Sequence, residues 1–231
     1  MLHFETGSHT YTVNNESYAS VTTVVNSCFS TFVADEVLAK MKNKSKYPGM
    51  SNAEIKAKWA ADAKIAQDIG TQMHLTIERY YKNEALEEEM HTPEILNFMK
   101  FAATTVLIPH EIEWRVYNSD VKLAGTLDFS ALNSDGTIDL YDWKCCKDLG
   151  LNNTYKYSHV IPHLPDTKYW KYTIQLNLYK FLVESKYNKK VRKMYLVCFH
   201  PSAPYYKLEV ADMQVHIPQI LENYNLNKST E

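Results

Sequence analysis

One stretch, residues 125–144 (GTLDFSALNSDGTIDLYDWK), restricts the fold more than any other part of the chain. Two strand-like runs flank Ser134-Asp135-Gly136. Gly136 accepts the positive φ that short hairpin turns require, and Asn133 and Asp135 favour turns as well. A turn centred on Asp135 sets Asp128 opposite Asp142 and Thr126 opposite Lys144, with opposed Cβ atoms about 4.5–5.5 Å apart. Alternation then gives Asp128, Asp142 and Lys144 one face, and Leu127, Phe129, Tyr141 and Trp143 the other. Opposed carboxylates repel, so a fold that keeps both ionised needs a compensating cation. Lys144 alone is one candidate. A hard divalent cation held by the oxygens, with Lys144 beside it, is the other. A solvated surface hairpin is the competing reading. Leu132, Ile138 and Leu140 beside the charges favour a central hairpin.

Around this hairpin the sequence predicts further elements. HTYTVNNESYA (9–19) reads as a hairpin turning at Asn14-Asn15, followed by a short helix over 20–27 capped by Ser20 and another over 32–42. Lysines 40, 42, 44 and 46 form the densest basic run; Lys42 and Lys44 are candidates to touch phosphates, although such runs are usually solvated faces. Ser51 caps a long helix over 52–82, in which Gly70, His74 and Glu78 share one face and Gly70 would let another backbone approach. EALEEE (84–89) reads as a solvated acidic segment. Thr92-Pro93 starts a helix over 93–107. Strands follow at 110–118, 121–132 and 137–144, then a long loop over 145–166. An amphipathic helix over 167–186 aligns Lys171, Gln175 and Tyr179. Strands at 191–200 and 205–210 and a helix over 212–225 complete the chain. The order implies a mixed central sheet flanked by helices, α/β (α+β) in class. As segments, 1–66 hold a hairpin and helices as an N-terminal extension, 67–200 a core, and 201–231 a last strand and helix.

With 231 residues, 45% of them hydrophobic, the chain is long enough to bury a sizeable core. A net charge of −2 gives no compositional sign of nucleic-acid binding, so any positive surface is local. The four cysteines, Cys28, Cys145, Cys146 and Cys198, make no paired spacing and read as free thiols. Adjacent Cys145 and Cys146 with His159 and His163 fit a tetrahedral zinc poorly. No signal-peptide or transit pattern and no membrane-length apolar run is present, so an intracellular chain without a membrane partner is expected.

Five short patterns occur in order: Gly70-x-x-x-His74-x-x-x-Glu78, an acidic strand residue at Glu113, Gly125-x-x-Asp128, Asp142-Trp143-Lys144 and Gln175-x-x-x-Tyr179. Over about residues 9–200 the chain resembles the PD-(D/E)XK nuclease superfamily, and within it the RecB-like exonucleases of phages and large DNA viruses. The resemblance implies a restriction-endonuclease-like αβββαβ core. It implies a Mg²⁺- or Mn²⁺-dependent deoxyribonuclease with one or two ions, acting on single-stranded DNA ends in recombination, repair or processing. The setting it implies is a phage-infected bacterium or a virus-infected host cell.

Under it, Asp128, Asp142, His74, Glu113 and the Trp143 backbone carbonyl are metal ligands, with Glu78 a further one. Lys144 orients or deprotonates the attacking water and offsets charge on the phosphate. Gln175 and Tyr179 hold the nucleic acid or the Lys144 geometry. Lys171, Lys147, Trp170, Tyr169 and Tyr155 join Lys42 and Lys44 as nucleic-acid contacts, the aromatics by stacking on bases. Glu111 lies on the same strand face as Glu113, and either could point inward. Glu113 could instead pair with Arg115 or Lys122. Only Cys198 follows the Gln175–Tyr179 helix, so no iron–sulfur cluster is expected. A structure-specific endonuclease and a non-catalytic nucleic-acid-binding or assembly module are the alternatives. Oligomeric state and protein partners are left open.

Overall fold

A computed structural model of the chain describes residues 2–5, 10–41, 46–86, 92–151 and 156–228. Lys42, Lys44 and Tyr155, and the second half of the acidic segment at 84–89, fall outside them. In chain order the elements are β1 (Leu2–Glu5), β2 (Thr10–Val13), β3 (Glu16–Ser20), α1 (Val21–Asn26), α2 (Ala34–Lys40), α3 (Asn52–Tyr81) and α4 (Pro93–Thr104). Then come β4 (Pro109–Asn118), β5 (Leu123–Leu132), β6 (Ile138–Lys144), α5 (Lys168–Lys186), β7 (Val191–Cys198), β8 (Tyr206–Glu209) and α6 (Ile217–Lys228).

Local chemistry sets the boundaries. Asn14 and Asn15 turn the first hairpin at φ 50° and 67°, a left-handed conformation that asparagine tolerates. Ser20 caps α1 and Thr92 caps α4, each accepting a backbone N–H. Ser51 opens the 30-residue α3 with a reciprocal capping box, in which Glu54 Oε2 accepts the Ser51 N–H at 2.7 Å. Gly136 at φ 82° closes the central hairpin, where Asn133 exchanges backbone bonds with Thr137 and Gly136. β1, which the sequence reading does not contain, is a four-residue strand that pairs antiparallel with β2.

The eight strands form one mixed sheet flanked by helices. β4, β5 and β6 are antiparallel neighbours, and β6 pairs parallel with β7. One face packs on α1, α5 and α6, with Val24, Leu127, Ile138, Leu140, Leu178 and Ile220 among its buried residues. The other packs on α3 and α4, around Met73, Phe98, Phe101, Phe129, Trp143 and Phe199.

The central hairpin keeps the expected register, Phe129 with Tyr141 and Leu132 with Ile138, but the pairing stops at Phe129. Along the same edge of β5, β3 pairs in parallel with Leu123 and Ala124 only. Residues 125–128 therefore carry no strand on that edge, and Thr126 is not laddered to Lys144. One expectation is overturned. Leu127 does not share a face with Phe129, Tyr141 and Trp143; it packs with Ile138 and Leu140 on the opposite side of the sheet. The reason is a joint switch in two strands. Glu113 sits at φ 49°, and neither it nor Asp128 pairs in the β4–β5 ladder, although the register is the same on both sides. Trp114 accordingly packs toward α5 while Ile112 packs toward α3 and α4.

Candidate metal centre

The vacated edge of β5 is where the functional side chains meet. One ligand atom each from His74 on α3, Glu113 on β4 and Asp128 on β5 lie within 4.8 Å of one another. His74 Nδ1 is 3.6 Å from Asp128 Oδ2. The same Asp128 oxygen accepts the Trp143 N–H at 2.8 Å, so the carboxylate replaces the rung that the diverging strands lack. The Trp143 amide thus closes onto Asp128. The left-handed turn at Glu113 brings that glutamate inward, whereas Glu111 is exposed. Glu113 faces the cluster and Arg115 lies in the same cleft, while Lys122 pairs with Glu16 at 3.2 Å.

Asp142 and Lys144 stand next to this group, with Asp142 outside the three that converge. Lys144 Nζ is 2.7 Å from Asp142 Oδ2 and 4.5 Å from the centre of the Tyr172 ring. Asp142 is 1% exposed; its Oδ2 meets the Lys144 ammonium, and its Oδ1 has no hydrogen-bond partner among the described residues. A buried carboxylate is ordinarily hydrogen-bonded, and one left with only an ion pair is suited to a cation that the protein itself does not supply.

The electrostatics agree. Burial pushes Asp142 up to about 7, with Lys144 opposing and the Asp128 charge adding to the rise. Burial also lifts Glu113 to about 8, helped by Asp128 and Glu78 and opposed by Lys82 and Arg115. For Lys144, burial alone would lower the pKa; Asp142 and Asp128 outweigh it and hold the ammonium protonated. Carboxylates this crowded, with one imidazole among them, are the hard and borderline donors that divalent cations take, so the residues fit such an ion.

Tyr179 is 3% exposed and donates to the Thr126 carbonyl at 2.6 Å; Gln175 hydrogen-bonds the same hydroxyl. The pair fixes the backbone of β5 one turn of pleat from Asp128 rather than reaching toward a substrate. Gly125 is required by this contact. A Cβ there would stand 2.7 Å from Tyr179 Cε1 and 2.9 Å from Val21 Cγ2. Gly70, in contrast, has no atom within 4 Å of an added Cβ, so no backbone approaches it. Glu78 pairs with Lys82 along α3 and lines the same cleft.

That cleft, about 610 Å³ and open, runs from the cluster outward between α3 and the first hairpin. Gln67, Gly70, Thr71, His74, Leu75 and Glu78 form one wall, and Phe4, Tyr11, Arg115, Thr126, Glu113 and Asp128 the other. Of the expected nucleic-acid contacts, Lys171, Tyr169, Trp170 and Lys147 do not line that cleft. Lys171 pairs with Asp166 at 2.7 Å and sits over the Phe29 ring, Tyr169 and Trp170 pack against each other and the core, and Lys147 is exposed on the loop after β6. Sequence reasoning did not single out Phe4, Tyr11 or Thr126, and weighed Arg115 only as a partner for Glu113. Their meeting depends on β1 and on the β3–β5 pairing, neither of which leaves a pattern in the sequence.

Among the described residues no helix is long and apolar enough to cross a membrane. No protein-family model matches the chain, and no curated protein matches it. Among solved structures the chain is similar to the crystal structure of SSO0001, at 16% identity and a TM-score of 0.38, over 94% of this chain and 80% of that one.

Proposed function

We propose that this chain is a Mg²⁺- or Mn²⁺-dependent deoxyribonuclease of the PD-(D/E)XK type that hydrolyses phosphodiester bonds at DNA ends. One observation carries the reading: the donors of His74, Glu113 and Asp128 converge within 4.8 Å beside a buried, underbonded Asp142 that contacts Lys144. The order α3, β4–β5–β6, α5, β7 supports it, because it follows the αβββαβ core that the five sequence patterns imply.

A divalent ion bound by these carboxylates would supply Lewis-acid polarisation of the phosphodiester and a more acidic water. The chain's own residues do the rest. His74, Glu113 and Asp128 would hold the ion, and Asp142 would complete the set from the β6 side. Lys144 stays protonated between Asp142 and Asp128, where it orients the attacking water and offsets charge that builds on the phosphoryl oxygens. Tyr179 and Gln175 keep the Asp128 strand in place through Thr126.

End-labelled single- and double-stranded DNA incubated with Mn²⁺ tests the proposal. The expected result is release of mononucleotides or short oligonucleotides by the wild type. Lys144→Ala is expected to lose cleavage and retain DNA binding. A closed circular single strand should remain whole; if it is cut, the enzyme is an endonuclease. Absence of cleavage by folded wild-type protein with either metal would remove the proposal.

A further inference from the structure

The metal ligands occupy only the floor of the cleft, and its outer half has a chemistry of its own. Phe4 stacks on Tyr11 with ring centroids 4.6 Å apart and planes 30° from parallel. The Arg115 guanidinium carbon lies 5.8 Å over the Phe4 ring, and Arg115 itself is exposed. Tyr11 is anchored, its hydroxyl 3.0 Å from Thr126 Oγ1, so the ring pair is tied to the strand that carries Asp128. Gln67 and Thr71 face it from α3 with neutral polar groups. Packing of the hairpin on the sheet accounts for Tyr11, which is buried. Phe4 packs on the same cluster from the rim, and the part of its ring left open faces the cleft beneath the guanidinium.

We infer that this outer half is a nucleotide subsite for an unpaired DNA end, with a base against the Phe4–Tyr11 wall and a backbone phosphate on Arg115. The inference rests on the metal-dependent nuclease reading and specifies its substrate. An aromatic wall takes any base by its π-face, and a guanidinium fork matches a phosphate bidentately. Inside a duplex both faces of a base are already stacked, so only a single strand or a frayed terminus offers one to the wall. The volume, about 610 Å³, suits one or two nucleotides, within the range of about 300–1,000 Å³ that small-ligand sites occupy. The subsite and the carboxylates share one open cleft, so a strand seated on Phe4 leads its next phosphodiester toward Asp128.

Three variants and two substrates test this. Phe4→Leu keeps apolar volume and removes the flat ring, Phe4→Ala removes both, and Arg115→Gln removes the charge. For a short single-stranded oligonucleotide with Mn²⁺, KM should rise about tenfold in Phe4→Leu and Arg115→Gln, with kcat little changed. Hydrolysis of methyl p-nitrophenyl phosphate, which has no base and no second phosphate, should match wild type in Phe4→Leu. Wild type should also prefer frayed duplex ends to blunt ones, and Phe4→Leu should lose that preference. An unchanged KM in both variants overturns the subsite and leaves the nuclease intact. So does rescue of Phe4→Ala by Phe4→Leu, which would mark a packing role, and so does equal loss on both substrates. If wild type with Mn²⁺ hydrolyses neither substrate, the nuclease reading itself fails and takes the subsite with it.

Discussion

Replacing Glu113 with glutamine should stabilise the metal-free protein and weaken its response to metal. Burial and the charges of Asp128 and Glu78 raise the Glu113 carboxyl from an ordinary 4.5 to about 8. At about 1.4 kcal/mol per pH unit, that interval sets a ceiling of about 5 kcal/mol on the cost of holding the carboxylate ionised. The side chain is partly exposed, and water screening brings the expected cost to about 2 kcal/mol. A raised acid contributes stability that is fully present below its unfolded value and lost as the pH rises through its folded value. The metal-free wild type should therefore lose stability relative to Glu113→Gln between about pH 4.5 and pH 8. For a chain of this length about 2 kcal/mol is about 4–8 °C in Tm. The assay is thermal unfolding in chelator across that range, repeated with saturating Mn²⁺. Metal should raise the wild-type Tm more than that of Glu113→Gln, because the ion offsets the repulsion that glutamine has already removed. Parallel pH profiles for the two proteins, or equal gains with Mn²⁺, would refute the account of Glu113 as a buried metal ligand.

Three further outcomes follow from the geometry. Gly125→Ala forces a Cβ to 2.7 Å from the Tyr179 ring and should cost about 1–3 kcal/mol in urea unfolding; an unchanged midpoint would contradict the packing. Tyr179→Phe deletes the 2.6 Å bond to the Thr126 carbonyl and should cost about 1 kcal/mol while lowering kcat for DNA more than it alters KM, as expected of a residue that positions Asp128. Asn177, fully buried, donates to the Thr173 and Ala211 carbonyls and accepts from the Met213 N–H, so Asn177→Leu should speed hydrogen exchange at the Met213 amide and lower Tm.

The central hairpin was legible because its signals are local: a glycine turn and a period of two. The same holds for α3, whose capping box and helical spacing put His74 and Glu78 on one side. The exchange of faces at Glu113 and Asp128 was not legible. It depends on a left-handed glutamate, a conformation that nothing in the residue type announces, and it moves Leu127 to the other side of the sheet. The two motif glycines show the same limit. Gly70 looked like a close-approach residue and has open space around it. Gly125 has none, because Tyr179, more than fifty residues later, lies across it. The aromatic rim was also invisible, since Phe4 reaches the site only through a strand of four residues and a seam between β3 and β5.

That seam has an evolutionary corollary. Among the described residues the first hairpin's strands pair with the main sheet only at Ala19 and Ser20, and its other ties are side chains, Tyr11 to Thr126, Glu16 to Lys122 and Tyr18 against Tyr117. The carboxylates belong to strands fastened along nearly their whole length. The first hairpin can therefore vary in sequence while Glu113, Asp128, Asp142 and Lys144 stay where they are.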